Sequence, residues 1–198
     1  MNLEDYRTLF AATSLTLMLV AVAPTLSLVV PFTRSAELFS ELWVLGSNHM
    51  AENYPFNVRV GEQYPVFVGV GNHLGVSAYY MVYVKFRNQS QPLPDAQNSM
   101  PSPLPPLFEF RFLIMNGESW EAPLTFTFLE ASRSENSCLI RRMSINDVVF
   151  SVDLSSTWDS ENKGFYYQLF LELWLYDATS RSFQFHDRFV GIWLNMTG

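Results

Sequence analysis

Cysteine is almost missing from this chain. Cys138 is the only one in 198 residues, so no disulfide can close within the chain and no cysteine-based zinc site can be built. Histidine is nearly as scarce. His49, His73 and His186 are the only imidazoles, no two stand at metal-ligand spacing, and no metal site is assigned. Basic charge is also short, at 12 Lys and Arg against 19 Asp and Glu, for a net charge of −7. Ten of the basic and seventeen of the acidic residues fall from Ser35 onward. Binding to a phosphate backbone needs a basic face, which excludes nucleic acid as a partner. No serine sits in a Gly-x-Ser-x-Gly context and no phosphate-cradling glycine loop is present, so no catalytic residue and no cofactor are assigned.

Charge of either sign is missing from residues 9–31, LFAATSLTLMLVAVAPTLSLVVP. As a helix rising about 1.5 Å per residue, these would reach about 34 Å, enough to cross a bilayer core of about 30 Å. Ala21-Val22-Ala23 has the small-x-small pattern of a signal-peptide cleavage site. Pro24 follows the would-be cut, and a proline there distorts the extended backbone that the peptidase must hold, so retention as an anchor is expected. Inside a helix the same proline removes a hydrogen bond to Val20 and crowds that turn, which predicts a kink. The expected organisation is a tail over 1–8, a transmembrane helix over 9–31, a juxtamembrane connection over 32–40 and an ectodomain over 41–198. Arg7 and Arg34 flank the span evenly, and the short tail favours an inside N-terminus with the ectodomain outside the cell membrane.

The remainder reads as strands. Seventeen Phe, nine Tyr and five Trp suit pleated surfaces, where large flat side chains pack well. Strands are expected over 41–45, 58–60 and 64–72, the last with Val66, Val68 and Val70 on one face. Residues 76–88 alternate most clearly, with Tyr80, Val82, Val84 and Phe86 toward the core and Tyr79, Met81, Tyr83 and Lys85 opposite. Residues 90–106 hold six prolines, which exclude helix or inner strand and predict a long exposed loop. Residues 107–115 put Phe108, Phe110, Phe112 and Ile114 on one side and Glu109 and Arg111 on the other, ahead of a hairpin-type turn at Asn116-Gly117. Leu124, Phe126 and Phe128, then 138–140 and 148–154, continue the pattern. Residues 165–176 and 183–194 form a hairpin. Eight or nine strands at this spacing predict an all-β fold, an immunoglobulin-like antiparallel sandwich without its usual cystine.

The landmarks Leu45-Gly46-Ser47-Asn48, Met50 to Pro55, Val60-Gly61-Glu62, Gly69-Val70-Gly71-Asn72-His73, Tyr79-Tyr80 and Asn116 to Trp120 fall in an order that resembles the archaeal domain of unknown function 1616 family. The similarity spans most of 42–194. It implies a membrane-linked archaeal protein with a β-rich outer domain and no established activity. Members of that family carry several N-terminal spans where this chain shows one. Leu74 stands where an acidic residue follows the asparagine-histidine pair in the family.

Several residues are candidates for chemistry, each with a structural reading beside it. His73, with Asn72 in a glycine-flanked turn, is the residue a turn would best present, or it is a hydrogen-bonded turn residue. Glu118 and Glu121 around Trp120 suggest paired carboxylates or a solvated turn. Cys138 reads as a small buried hydrophobe. Asn88-Gln89-Ser90 and Asn195-Met196-Thr197 match the glycosylation acceptor pattern. The aromatic excess builds either a core or a platform for sugar or protein. The function expected is a surface-displayed binding or accessory subunit of a membrane or envelope complex, with lipid as partner through 9–31 and a protein partner. The alternative is a membrane-anchored hydrolase with a loop-built site. A histidine gathered with two or more carboxylates in a concavity would favour the enzyme, and an exposed aromatic patch the binder.

Overall fold

The computed structural model describes the backbone of residues 3–29 and 37–197, with side chains described for 6–21 and 37–197. It divides into two units, Met1–Glu37 and Leu38–Gly198.

The first unit holds one helix, α1 (Leu3–Val29). Leu is its commonest residue and Ala recurs through it, and these residues lose little side-chain freedom in a helix. Its few hydroxyls turn inward on the backbone: Thr13 Oγ1 donates to the Leu9 and Phe10 carbonyls at 2.9 and 3.0 Å, and Thr16 Oγ1 to Ala12 at 2.8 Å. Phe10, Leu15, Leu17, Met18 and Val20 are exposed. Among the described residues no helix is long and apolar enough to cross a membrane. The predicted span over 9–31 lies partly outside those residues, as does most of the juxtamembrane stretch over 32–40.

The second unit is built from ten strands: β1 (Phe39–Leu45), β2 (Asn57–Val58), β3 (Gln63–His73), β4 (Ala78–Asn88), β5 (Phe108–Ile114), β6 (Ser119–Arg133), β7 (Ser137–Ile145), β8 (Val148–Thr157), β9 (Tyr166–Asp177) and β10 (Ser182–Met196). They form two five-stranded sheets, ordered β1-β3-β6-β7-β8 and β2-β10-β9-β4-β5. Every pairing is antiparallel except β2 with β10. The expected alternation decides which faces meet. Val66, Val68, Val70, Leu124, Phe126 and Phe128 from one sheet share a core with Tyr80, Val82, Val84, Leu171 and Leu173 from the other. Each such side chain contributes about 1.5–3 kcal/mol by leaving water.

Three local expectations are corrected. Asn116-Gly117 is a turn, with Gly117 at φ +81°, but it does not close a hairpin within one sheet. It carries the chain from β5 in one sheet to β6 in the other. The face of β4 that points away from the core is only partly open to water: Met81 and Lys85 are buried, as are Phe170 and Glu172 beside them on β9, while Tyr79 is exposed. The proline-rich segment covers Lys85 and Glu172 through Ser102. Pro94 and Ser102 are buried, and within the segment only residues 97–100 form a continuous run of four exposed positions.

A buried ion pair fastens this cover. Lys85 Nζ lies 2.8 Å from Glu172 Oε2 and donates to the Ser102 carbonyl at 2.8 Å. The Ser102 amide donates to Glu172 Oε1 at 2.8 Å, and Trp174 Nε1 donates to Glu172 Oε2 at 3.2 Å. A buried charge is tolerable only when paired and hydrogen-bonded. Neighbouring strands supply the two charges, and the loop backbone and the Trp174 indole supply the remaining bonds.

Candidate functional site

One concavity of the domain lies where β2 meets the end of β10. Tyr54-Pro55-Phe56 is extended, as the residue before a proline prefers, and it is tied on both sides. Tyr54 donates its hydroxyl to the Val44 carbonyl at 2.8 Å, and the Asn195 amide donates to the Phe56 carbonyl at 2.6 Å. This holds the Phe56 ring 6.0 Å from Tyr166, beside Trp193 of β10. The Arg87 guanidinium stands 5.3 Å from the Trp193 ring. Arg87 Nε donates to Gln168 Oε1 at 2.8 Å, Nη1 donates to the Gln91 carbonyl, and burial lowers its pKa. The cation is therefore committed to holding the indole rather than offered to a ligand.

The cavity measures about 500 Å³ and is lined by Phe56, Gln89, Asp159, Asn162, Tyr166 and Trp193. A second cavity of about 320 Å³ shares Phe56 and Trp193 with it and runs on toward Val44 and Val190. The two make one groove with aromatic walls. Asp159 caps its own turn, accepting from the amides of Glu161 and Asn162 at 2.9 and 3.0 Å and from Asn162 Nδ2 at 2.9 Å. The Asn162 bonds hold the Asp159 carboxyl below the usual carboxylate range, so it accepts hydrogen bonds as an anion at neutral pH. Gln89 Nε2 donates to it at 3.3 Å, and the Tyr166 hydroxyl donates to the Asn162 carbonyl at 2.6 Å. Amides, a carboxylate and flat rings are thus brought together from four separated parts of the chain. Such a wall can stack on the C–H face of a ring and exchange hydrogen bonds with hydroxyls around its edge.

The sequence-flagged residues lie elsewhere. Asn72 is fully buried and joins the two inter-sheet corners: its Nδ2 donates to the Val76 and Ile114 carbonyls at 2.8 and 2.9 Å, and its Oδ1 accepts from the Leu74 amide and the Tyr80 hydroxyl. Asn116 Oδ1 accepts from the Gly75 amide at 2.7 Å. Three of the landmarks that order the chain, Asn72-His73, Tyr80 and Asn116-Gly117, therefore meet at one end of the domain, together with Leu74-Gly75, and lock it. His73 lies 3.5 Å from Glu41 and stacks on Phe39. His49 Nδ1 lies 2.6 Å from Glu121 and stacks on Phe67. Trp43 lies across Gly69 where a Cβ would collide with it. These pairs stay separate, and among the described residues no three of His, Cys, Asp and Glu gather as metal ligands.

His186 is the histidine nearest to a hydrolytic arrangement. Its Nε2 stands 2.9 Å from Ser40 Oγ, in a bulge of β10 beside Asp187. Ser40, however, is 2% exposed and its hydroxyl is shared with Tyr80 at 2.7 Å, although the residue lines a cavity of about 520 Å³ with Phe39, Glu41 and Arg188. Trp120 stacks on Phe112 at 3.7 Å and belongs to the core edge. Cys138 is buried, as its type suggests, and burial raises its thiol pKa. At both glycosylation patterns the amide nitrogen is occupied within the domain: Asn88 Nδ2 donates to the Ser155 carbonyl at 2.8 Å, and Asn195 Nδ2 to Asn57 Oδ1 at 3.1 Å. The groove itself was not legible in the sequence. Its only trace is Asp159-x-x-Asn162 in a polar loop, and turns without a ligand carry that pattern as well.

A model of the family described as Domain of unknown function (DUF1616) matches residues 33–137. No curated protein matches the chain. Among solved structures, a beta-glucosidase from Listeria innocua in complex with glucose aligns with a TM-score of 0.43 and 11% identity, over 82% of this chain and 16% of that one. The same enzyme in complex with isofagomine aligns at 0.42 and 11%, with the same coverage. The chain spans about a sixth of that enzyme's length.

Proposed function

We propose, on the premise that this chain belongs to the DUF1616 family, that it is a membrane-anchored binding protein. Its sandwich, immunoglobulin-like in kind, is displayed on the outer side of an archaeal cell membrane as part of an envelope or membrane complex. The ligand class is a neutral, hydroxyl-rich ring compound such as an oligosaccharide, presented by an envelope partner or held free. The groove carries this reading: Phe56 and Trp193 are each more than a third exposed and face one cavity with Gln89, Asp159 and Asn162. Exposed aromatic rings beside polar side chains that converge on a concavity mark a small-ligand site. Anchorage rests on the uncharged run over 9–31 and on the exposed apolar side chains of α1. The rival reading, a hydrolase, draws on the Ser40–His186 contact, where the serine hydroxyl is buried and also held by Tyr80.

Glycan-array and calorimetric binding with the full chain in mild detergent tests the reading. The Trp193→Ala variant should lose at least tenfold in affinity for the best glycan while keeping the β-dominated circular dichroism spectrum and a cooperative melt. Absence of binding to any neutral glycan, or binding that survives Trp193→Ala, overturns the ligand class. Turnover of glycoside or ester substrates by purified protein would replace the binding reading with the hydrolase.

A further inference from the structure

A second surface lies at the end of the domain where its chain begins. The start of β1, the turn after β3, the start of β4 and the end of β5 meet there, because Phe39 pairs with His73 and Tyr79 pairs with Leu113 across their ladders. Large apolar side chains crowd this end. Leu38, Val76 and Leu113 are 66, 64 and 65% exposed, and Met115 is 60% exposed. Phe39 and Tyr79 complete the ring. Single exposed hydrophobics are ordinary, but six gathered on one end from both sheets form a surface that water does not favour.

The end beneath is rigid. The Asn72 hub ties the turn after β3 to β5 and β4, and a Cβ at Gly75 would rest 3.5 Å from Leu38. Of the nearby charges, Arg111 pairs with Glu109 at 2.8 Å and stands 5.7 Å from the Phe183 ring, while the exposed carboxylates Glu37 and Glu118 lie beside this end and must stay on its wet rim. Tyr79 packs against Phe183 at 5.2 Å. Aliphatic tips flanked by tyrosine and a ring-stacked arginine have the composition that settles at the boundary between headgroups and acyl chains.

We infer that this end seats on a lipid surface, with Val76, Leu113 and Met115 dipping into the acyl boundary. The length of connecting chain selects lipid over other occupants. Residues 30–37 alone separate α1 from Leu38, and eight residues span at most about 28 Å. A bilayer that holds α1 is therefore within reach of this end. The domain is acidic, so the contact is driven by apolar burial and needs no anionic lipid. The inference extends the anchored reading by assigning a second, independent contact with the same membrane.

The test uses the full chain in phosphatidylcholine vesicles, with nitroxide labels on cysteines placed at Val76, Leu113 or Glu135. Cys138 is 1% exposed and does not compete for label under native conditions. The expected result is loss of relaxation by an aqueous nickel complex and gain of relaxation by oxygen at 76 and 113. At 135, on the turn between β6 and β7, the aqueous response should remain. Relaxation by nickel at all three positions overturns the inference. Protection of 76 and 113 from both reagents overturns it in favour of a protein neighbour. An alkaline wash of the same vesicles reports on anchorage separately: chain released to the supernatant removes α1 as an anchor, while the label pattern recorded before the wash decides the lipid seat.

Discussion

At Lys85 the domain holds a cation that water does not reach, opposite a glutamate at Glu172 that is fully buried. Removing one partner leaves the other charge unpaired in a low-dielectric site. Lys85→Met or Glu172→Gln should therefore lower stability by about 3–5 kcal/mol, read from urea unfolding by tryptophan fluorescence. The Lys85→Met, Glu172→Leu double variant should cost less than either single one, because no orphan charge remains. A second residue-scale outcome concerns His186. Burial and then Arg188 hold its pKa below the ordinary value of 6.5, so the unfolded chain binds its proton more readily than the folded one. Stability from this residue is complete above about pH 6.5 and is lost as pH falls through the lower folded value. His186→Gln should flatten that part of the pH–stability profile, and an unchanged profile would mean that the imidazole is not desolvated. At β5, Phe112 is buried while Phe110 is half-buried. Phe112→Ala should cost about 3–5 kcal/mol and Phe110→Ala less, with Glu109→Gln within about 0.5 kcal/mol.

On the scale of elements, residues 90–106 show why composition misleads. Six prolines correctly exclude a ladder there, yet the segment is not loose, because the Ser102 amide and carbonyl are the missing partners of the Glu172 and Lys85 pair. Limited proteolysis of the native chain should cut within 97–100, where four residues in a row are exposed, and spare the prolines on either side. Glu172→Gln should widen cutting to the whole segment. Uniform cutting in the native protein would mean that the cover is not formed. The same cover explains β4 and β9. Alternation puts Met81 and Lys85 opposite the core, yet both are buried, and the loop closes over Lys85 and its partner Glu172 through Ser102.

For the whole molecule, the anchored reading predicts that the full chain stays in the membrane pellet after alkaline or high-salt washing. About 20 apolar residues hold by burial rather than by charge, so release of intact chain would remove that reading. The residues from Leu38 onward form a unit of their own. Expressed alone, they should show a β-dominated circular dichroism spectrum and a cooperative melt. A helical or unfolded spectrum would contradict the architecture.

Local pattern was enough to place strands and faces. Period-two alternation at Val66 to Val70, Tyr80 to Phe86 and Leu124 to Phe128 puts every second side chain on one side whatever the partner strand, and these residues form the core. The uncharged run at the N-terminus likewise marks a helix, observed as α1. Strand partners and the groove were decided only by the tertiary structure. The Asn116-Gly117 turn looks the same whether it closes a hairpin or carries the chain between sheets. What distinguishes the two is Asn72, far away in sequence, whose amide finds its partners only once both corners are formed. The groove depends even more on distance, since Phe56, Gln89, Asp159 and Trp193 share no local pattern and converge only because β2 pairs in parallel with the end of β10. A local signal reports the face a side chain takes, whereas a site is made by the pairing of strands, and pairing is settled by the energy of the whole core.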